Sequence, residues 1–364
     1  MLSLCSACAT TSNELAADKT KKTTNEKDVS ASQKNTAKVE IVLLANTDPI
    51  YRKRANDIEQ GAKLAQQDLS GGKVSVVVRS INETDTRVDR NLKQTADLSI
   101  ILDSQNSKAK SFESLHPVIA INSNDAPRNS NTFSFLPSET DSLIAGITHA
   151  LNEKPGTIAL ITPPQYSSFK IARIKKELGE QNKLNNVKYT ANETLWQVAK
   201  RAVKADKNTK IFAFVGNSQK IEPLAKSIIS LKGKSRDYSL VGNNSWSSSL
   251  ISSPSLEGAI VSKLDKSNSK IIASRYQKKY GASLTDDALY GYDVIAVAAG
   301  IVRFKGVQAL NNSNIIDPSG FNGVTGTFRF RADGSIERIY VINQIIGSKL
   351  VPLHTTTKSF DIKK

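Results

Sequence analysis

The residues of this 364-residue chain that could do chemistry sit in short polar runs, each placed just after an apolar stretch. Asp103, Ser104, Gln105 and Asn106 follow LSIIL, and Asn122, Ser123, Asn124 and Asp125 follow VIAI. Further on, Gln165 and Tyr166 follow TIALIT and two prolines, Gly216 and Asn217 follow IFAFV, and Asn243, Asn244 and Trp246 follow SLVG. Amides, hydroxyls and a few aromatic rings recognise a polar molecule by hydrogen bonding and stacking. Ligands of open α/β sheets bind beyond the carboxyl ends of the strands. The candidate contacts are therefore Ser104, Gln105, Asn106, Asn122, Ser123, Gln165, Tyr166, Asn217, Asn243 and Trp246. Asn, Ser and Gly are also what any turn after a strand uses, so a structural role for each stays open.

Catalysis lacks its usual parts. Of the histidines, His116 precedes Pro117 at a strand start, His149 lies within an apolar helix and His354 is near the C-terminus. Neither of the first two accompanies a serine or aspartate nucleophile arrangement. The sequence has no G-x-S-x-G elbow, phosphate loop, G-x-G-x-x-G or H-E-x-x-H. The acidic pair Asp286 and Asp287 fits a helix start, where it meets the dipole. Both cysteines, Cys5 and Cys8, fall in the first eight residues. A disulfide framework and a cysteine-based metal site or nucleophile are thereby excluded from the body. The expectation is a non-enzyme with no catalytic residue, no metal and no cofactor.

Strands and helices alternate to position the polar runs. Residues 39–45 form an apolar strand, 46–54 a polar loop and 55–69 a helix broken by Gly71-Gly72, with a second strand at 74–78. Helices are expected at 86–96 and 109–115, with strands at 98–102 and 118–121. Residues 138–152 open with Ser138, Glu139, Thr140 and Asp141, which suit a helix N-terminus. A second series follows, with strands at 157–161, 187–190, 210–215 and 238–241, and helices at 166–178, 195–205 and 219–231. Strands apolar on both faces and alternating with helices imply parallel sheets covered by helices. Residues 286–304 form a helix apolar nearly all round, hence packed inside a domain. Residues 324–331 and 335–344 read as a β-hairpin closed by Asp333-Gly334.

Tyr292 and Asp293 on that helix, followed by Phe321, Gly323, Thr325, Gly326, Phe328 or Phe330, Asp333 and Gly334, form an ordered set. It resembles the C-terminal third of the type I periplasmic binding proteins, the family of the Leu/Ile/Val-binding proteins. The resemblance implies a two-lobed α/β fold of parallel sheets flanked by helices, with three crossings between lobes acting as a hinge. Lobe one is then 39–142 plus 255–318, and lobe two 143–254 plus 319–355, with a tail at 356–364. Residues 258–262 are expected to be the strand that re-enters lobe one, and the terminal hairpin is expected in lobe two. The family places hydroxyls and backbone amides at the positions of Ser104, Asn122 and Ser123 to hold a ligand carboxylate.

Two departures bear on the ligand. Amino-acid-binding members hold the ammonium group with a lobe-two acid, but GNNSWSSS after Val241 contains none. The glycine usual shortly after the lobe-two tyrosine is missing, since Tyr166 precedes Ser167, Ser168 and Phe169. Desolvating an ammonium without a carboxylate costs several kcal/mol, so a zwitterionic amino acid fits poorly.

Ser6-Ala7-Cys8 resembles the end of a bacterial lipoprotein signal, with Cys8 as the lipidated residue and 1–38 as signal remnant and disordered tether. Ala9 and Thr10 include no retention aspartate, so the resemblance implies a periplasmic protein anchored to the outer membrane by lipid alone. No run approaches the ~20 apolar residues of a membrane span. The tether and the opening of the core resemble a neighbouring branch, the lipoproteins that activate penicillin-binding proteins. A net charge of +16 favours anionic partners. Its scatter along the chain, without nucleic-acid motifs, argues against nucleic acid. The expected function is thus a non-catalytic envelope lipoprotein that binds a penicillin-binding protein or peptidoglycan and regulates a cell-wall synthase. The alternative is the solute-binding component of an ABC importer, with a small polar solute and an ABC permease as partners.

Overall fold

Among the described residues the strands form a five-stranded, a seven-stranded and a three-stranded sheet. The computed structural model describes residues 35–45, 48–82, 96–102, 116–121, 131–190, 192–233, 237–353 and 359–360. Sheet one has the order β2-β1-β3-β4-β5. Its strands are β1 (Ala37–Ala45), β2 (Val74–Asn82), β3 (Leu98–Leu102), β4 (Val118–Ile121) and β5 (Thr132–Ser134), all parallel. Every residue of β3 and β4 is buried, as expected for a parallel sheet with both faces covered. Between β1 and β2 runs α1 (Pro49–Leu69). It starts earlier than its apolar stripe suggests, because Asp48 accepts from Ile50 N–H at 2.8 Å and Pro49 occupies the first turn. Most of the expected loop at 46–54 is therefore helix.

The chain then enters lobe two through α2 (Glu139–Glu153), capped by Ser138 as its opening residues suggest. There follow β6 (Thr157–Thr162), α3 (Ser168–Leu178), β7 (Leu184–Lys188), α4 (Leu195–Lys204), β8 (Thr209–Phe214), α5 (Ile221–Lys232), β9 (Ser239–Gly242), the single turn α6 (Ser248–Ile251) and β10 (Ile260–Leu264). The return to lobe one brings α7 (Ser269–Tyr280), α8 (Asp286–Lys305), the short α9 (Asn312–Ile315) and strands β11 (Phe321–Gly323), β12 (Gly326–Phe330) and β13 (Ile336–Arg338). The chain ends with β14 (Tyr340–Ile346) and β15 (Lys349–Pro352), and sheet two has the order β15-β14-β10-β9-β8-β6-β7.

Two strand placements differ from expectation. The strand at 258–262 does not join sheet one. As β10 it pairs parallel with β9 (Ile260↔Val241) and antiparallel with β14 (Lys263↔Val341). Its faces fit this position, since Ile260 packs in the core beneath α2 and Val261 in the opposite one. The terminal hairpin is divided between lobes. β12 and β13 pair through Phe330↔Ile336 in a three-stranded sheet with β11, and Phe328, Phe330 and Ile336 pack in the lobe-one core. β14 continues alone into sheet two. Residues 260–264 thus belong to the lobe-two sheet, and 321–338 pack with lobe one. The apolar pattern identifies each as a strand, but which sheet edge it joins depends on long-range partners.

The chain crosses between the two larger sheets three times, at 135–138, at 265–268 and at Ile339. The described end returns to lobe one, where the Phe360 ring lies 4.4 Å below the Arg329 guanidinium. The expected helices at 86–96 and 109–115 lie outside the described residues, apart from Ala96. So do the N-terminal tether to residue 34 and most of the C-terminal tail.

Candidate functional site

The carboxyl ends of the parallel strands in sheet two converge on one edge, and the loops there are held by their own polar groups. Asn243 is 1 % exposed. Its Nδ2 donates to Phe214 O at 3.3 Å and Gly216 O at 3.0 Å, and its Oδ1 accepts from Ser245 N–H and Oγ–H. This amide ties the loop after β8 to the loop after β9. Asn217 is exposed, and its Oδ1 accepts from Ser247 N–H at 3.0 Å. Asn244 N–H donates to Ser142 Oγ at 2.9 Å, binding the loop to the first turns of α2.

Trp246 is 2 % exposed, with its indole packed where Gly242 lacks a side chain. A Cβ on Gly242 would lie 2.3 Å from the ring. The ring therefore shapes the loop from beneath, and its face is spent on the core beside Phe214. Trp246→Ala is expected to destabilise the protein by about 3–5 kcal/mol through the cavity it opens. Denaturant unfolding measures this, and a loss under 1 kcal/mol would show the ring is not packed.

Tyr166 is half-buried and Gln165 exposed at the end of β6. Tyr166 Oη lies 3.3 Å from Thr140 Oγ1 at the head of α2, and Lys170 Nζ sits 5.9 Å from its ring centre. Similar pairs join Lys220 to Tyr189 and Lys200 to Trp196, so this end of lobe two is basic and aromatic. Of the candidates in lobe two, Gln165, Tyr166 and Asn217 present side chains at the surface of this edge, whereas Asn243 and Trp246 are committed to holding it. Ser104, Gln105, Asn106, Asn122 and Ser123 lie outside the described residues, as does Cys8. Their lobe-one neighbourhood is marked by Tyr51, whose Oη–H donates to Leu102 O at 3.0 Å just before those loops begin.

Sequence reading missed Lys263, Ser142 and Tyr51. Lys263 is the penultimate residue of β10, and its Nζ donates to Asn244 O at 2.7 Å and Trp246 O at 2.8 Å. Burial, with Lys266 nearby, pushes its pKa down to about 8, opposed by Asp286. The signal was a lone lysine within the apolar run AIVSKL. His116, at the opposite end of sheet one, has Nε2 2.8 Å from Ser99 Oγ, and burial holds its pKa below the usual value.

The crossings meet in a buried polar network. Asp293 on α8 is 1 % exposed and accepts from Val324 N–H (2.7 Å), Thr325 N–H (2.9 Å) and Thr325 Oγ1–H (2.5 Å). Burial raises its pKa, and these hydrogen bonds oppose the rise. Arg338 donates to Thr325 Oγ1 at 3.1 Å and to Phe135 O at 2.6 Å, with its guanidinium between the rings of Phe135 and Phe328. Tyr340 Oη–H donates to Ser138 O at 3.0 Å. The third crossing is thus pinned to the first. The second is joined to the same cluster by Asn268 Nδ2, which donates to Gly323 O at 3.2 Å.

Three concavities lie elsewhere, the roomiest of about 530 Å³ beside Gly71, Gly72 and Lys279 at the end of α1. One of about 380 Å³ is at the far end of sheet two, by Lys154, Tyr238 and Glu257. Another of about 370 Å³ separates α8 from β11 in lobe one. None of the three adjoins the converging strand ends, so volume alone does not mark the site.

No protein-family model and no curated protein matches this chain. Solved structures do. A candidate branched-chain amino acid ABC transporter protein from Rhodospirillum rubrum is 14 % identical over 87 % of this chain and 100 % of its own, with a TM-score of 0.70. An ABC-type branched-chain amino acid transporter protein from Rhodopseudomonas palustris is 16 % identical over 87 % and 96 %, with a TM-score of 0.63. A solute-binding protein of an ABC transporter from R. palustris, in complex with benzoate, is 15 % identical over 90 % and 98 %, with a TM-score of 0.55. The chain has the two-lobed α/β fold of the type I periplasmic binding proteins.

Proposed function

We propose that this protein is the solute-binding component of an ABC importer, closing its two lobes on a small polar ligand in the periplasm. The observation that carries this reading is the hinge. Three crossings knit by Asp293, Thr325, Arg338 and Tyr340 restrict the lobes to one main opening motion. The hydrogen-bonding ends of sheet two then face whatever the cleft encloses. Structures of the same fold serve ABC transporters, and one of them holds benzoate. Ser104, Gln105, Asn106, Asn122 and Ser123 would contact the ligand from lobe one, and Gln165, Tyr166 and Asn217 from lobe two. Asn243 and Trp246 would act by shaping the loop.

A thermal-shift screen of metabolites tests this. A ligand at one hundred times its Kd adds about 2.7 kcal/mol to stability, a visible rise in melting temperature. The rise should shrink in Asn217→Ala and Tyr166→Phe. A screen without any stabilising metabolite counts against the reading.

A second reading keeps the fold as a protein-binding module that activates a penicillin-binding protein at the peptidoglycan, anchored to the outer membrane through lipid on Cys8. The net charge of +16 and the lysine–aromatic pairs at the lobe-two rim favour it. Pull-down from solubilised envelope separates the two readings, since only the second recovers a cell-wall synthase.

A further inference from the structure

We infer that the lobe-two side of the cleft is built for an anion without an ammonium group, with Lys263 as the residue that meets its charge. This rests on the solute-binding reading and adds the chemical class of the solute.

Lys263 stands at the carboxyl end of β10, where the strand ends converge and where open α/β sheets place their ligands. Its side chain is half-buried. Two of its three N–H groups are taken by the carbonyls of Asn244 and Trp246. Carbonyls orient an ammonium but do not neutralise it, and among the described residues Lys263 forms no ion pair. The charges acting on it are Lys266, of like sign, and Asp286 at the head of α8 in lobe one. Asp286 is already held by Lys266 at 2.6 Å. A partly desolvated charge left uncompensated is costly, and an anionic occupant would compensate it.

The surroundings agree in sign. The loop over Lys263 offers Asn244, Ser245 and Ser247, all neutral. Asp141, on the first turn of α2, is paired with Arg173 at 2.5 Å. Glu139, also on that turn, sits where a helix N-terminus favours a carboxylate. An ammonium-bearing ligand would have to turn to Glu139, and an ammonium-free anion would turn to Lys263. The two cases differ in one chemical group, so they can be separated.

Matched sets make the test: leucine, 4-methylpentanoate and 3-methylbutylamine, then phenylalanine, 3-phenylpropanoate and 2-phenylethylamine. Titration calorimetry on the full chain should find that at least one carboxylate binds, with its parent amino acid at least tenfold weaker and its amine silent. Lys263→Met should weaken that carboxylate by about tenfold or more, and Lys263→Arg should restore most of the loss. Removing the ammonium could loosen the 244–246 loop, so the wild-type protein supplies an independent readout. An anion raises the Lys263 pKa from about 8, so binding takes up a proton. Affinity should be level below pH 7.5 and fall by up to tenfold per unit above pH 8, with proton uptake seen in buffers of different ionisation enthalpy.

Tighter binding of an amino acid or amine, with loss in Glu139→Gln, would overturn the inference and leave the solute-binding reading standing. A pH-flat carboxylate affinity, or no binding by either carboxylate, would also overturn it. Native mass spectrometry of protein from the periplasm tests the underlying reading separately. A co-purified acid without an amine supports both, an amine overturns only the inference, and protein carrying no small molecule counts against the reading itself.

Discussion

A methyl group placed between α1 and α8, the two longest helices among the described residues, should destabilise lobe one by about 2 kcal/mol or more. A Cβ on Gly61 of α1 would lie 1.9 Å from Ala288 O, and one on Gly291 of α8 would lie 2.1 Å from Ile58 O. The helices touch backbone to backbone, and a carbonyl inside a helix cannot rotate aside as a side chain can. Alanine gains up to about 1 kcal/mol over glycine in a helix interior, but overpacking against an immovable group costs about 1–3 kcal/mol or more. The clash should win at both positions. Gly300, on the same helix α8, has nothing within 4 Å of its missing Cβ, so Gly300→Ala should be neutral or stabilising by up to about 1 kcal/mol. Denaturant melts of the three variants decide this. If Gly61→Ala behaves like Gly300→Ala, the close helix contact is wrong.

The hinge network should give the second large effect. Arg338→Ala removes the donor to Phe135 O and the cation between two rings, and leaves Asp293 with its charge buried. Breaking a buried charged network on one side costs about 3–5 kcal/mol. Asp293→Ala should cost a similar amount, because it strands the Val324 and Thr325 N–H groups and leaves Arg338 buried. The two residues act through Thr325, so the double variant should lose less than the sum of the single losses. Losses under 1 kcal/mol, or simple additivity, would show that the crossings are not coupled through this network.

This network also shows what could be read from the chain alone. Tyr292-Asp293 and the F-x-G-x-T-G stretch stand apart in sequence, and their order carried the resemblance to a family, but that Asp293 finds its donors at Val324 and Thr325 is seen only in the fold. The apolar helix α8 was legible because it has no polar face to turn to water. The partner of β10 was not legible. Its pattern fits either sheet, and its place follows from the long-range antiparallel match with β14. Within the candidate site, Asn and Ser after each strand were visible, but their division of labour was not. Whether Asn243 faces solvent or ties two loops together depends on carbonyls some 30 residues away in sequence. Trp246 looked like a stacking platform because its loop is polar, and only the missing Cβ of Gly242 reveals where the ring goes. Lys263, just past the strand expected at 258–262, drew no notice because its partners are backbone carbonyls, which no sequence pattern displays.

The central claim is that the two lobes hinge around a captured solute, and an interlobe distance measures it directly. Both cysteines lie in the first eight residues, so Cys5→Ser and Cys8→Ser clear the background for two spin labels. Gln67→Cys at the end of α1 and Lys204→Cys at the end of α4 place one label on each lobe. Pulsed electron resonance should give a longer or broader distance in protein stripped of small molecules by unfolding and refolding. Adding back the extract of the native protein should give a shorter and narrower one. One unchanged distribution in both states would contradict the account.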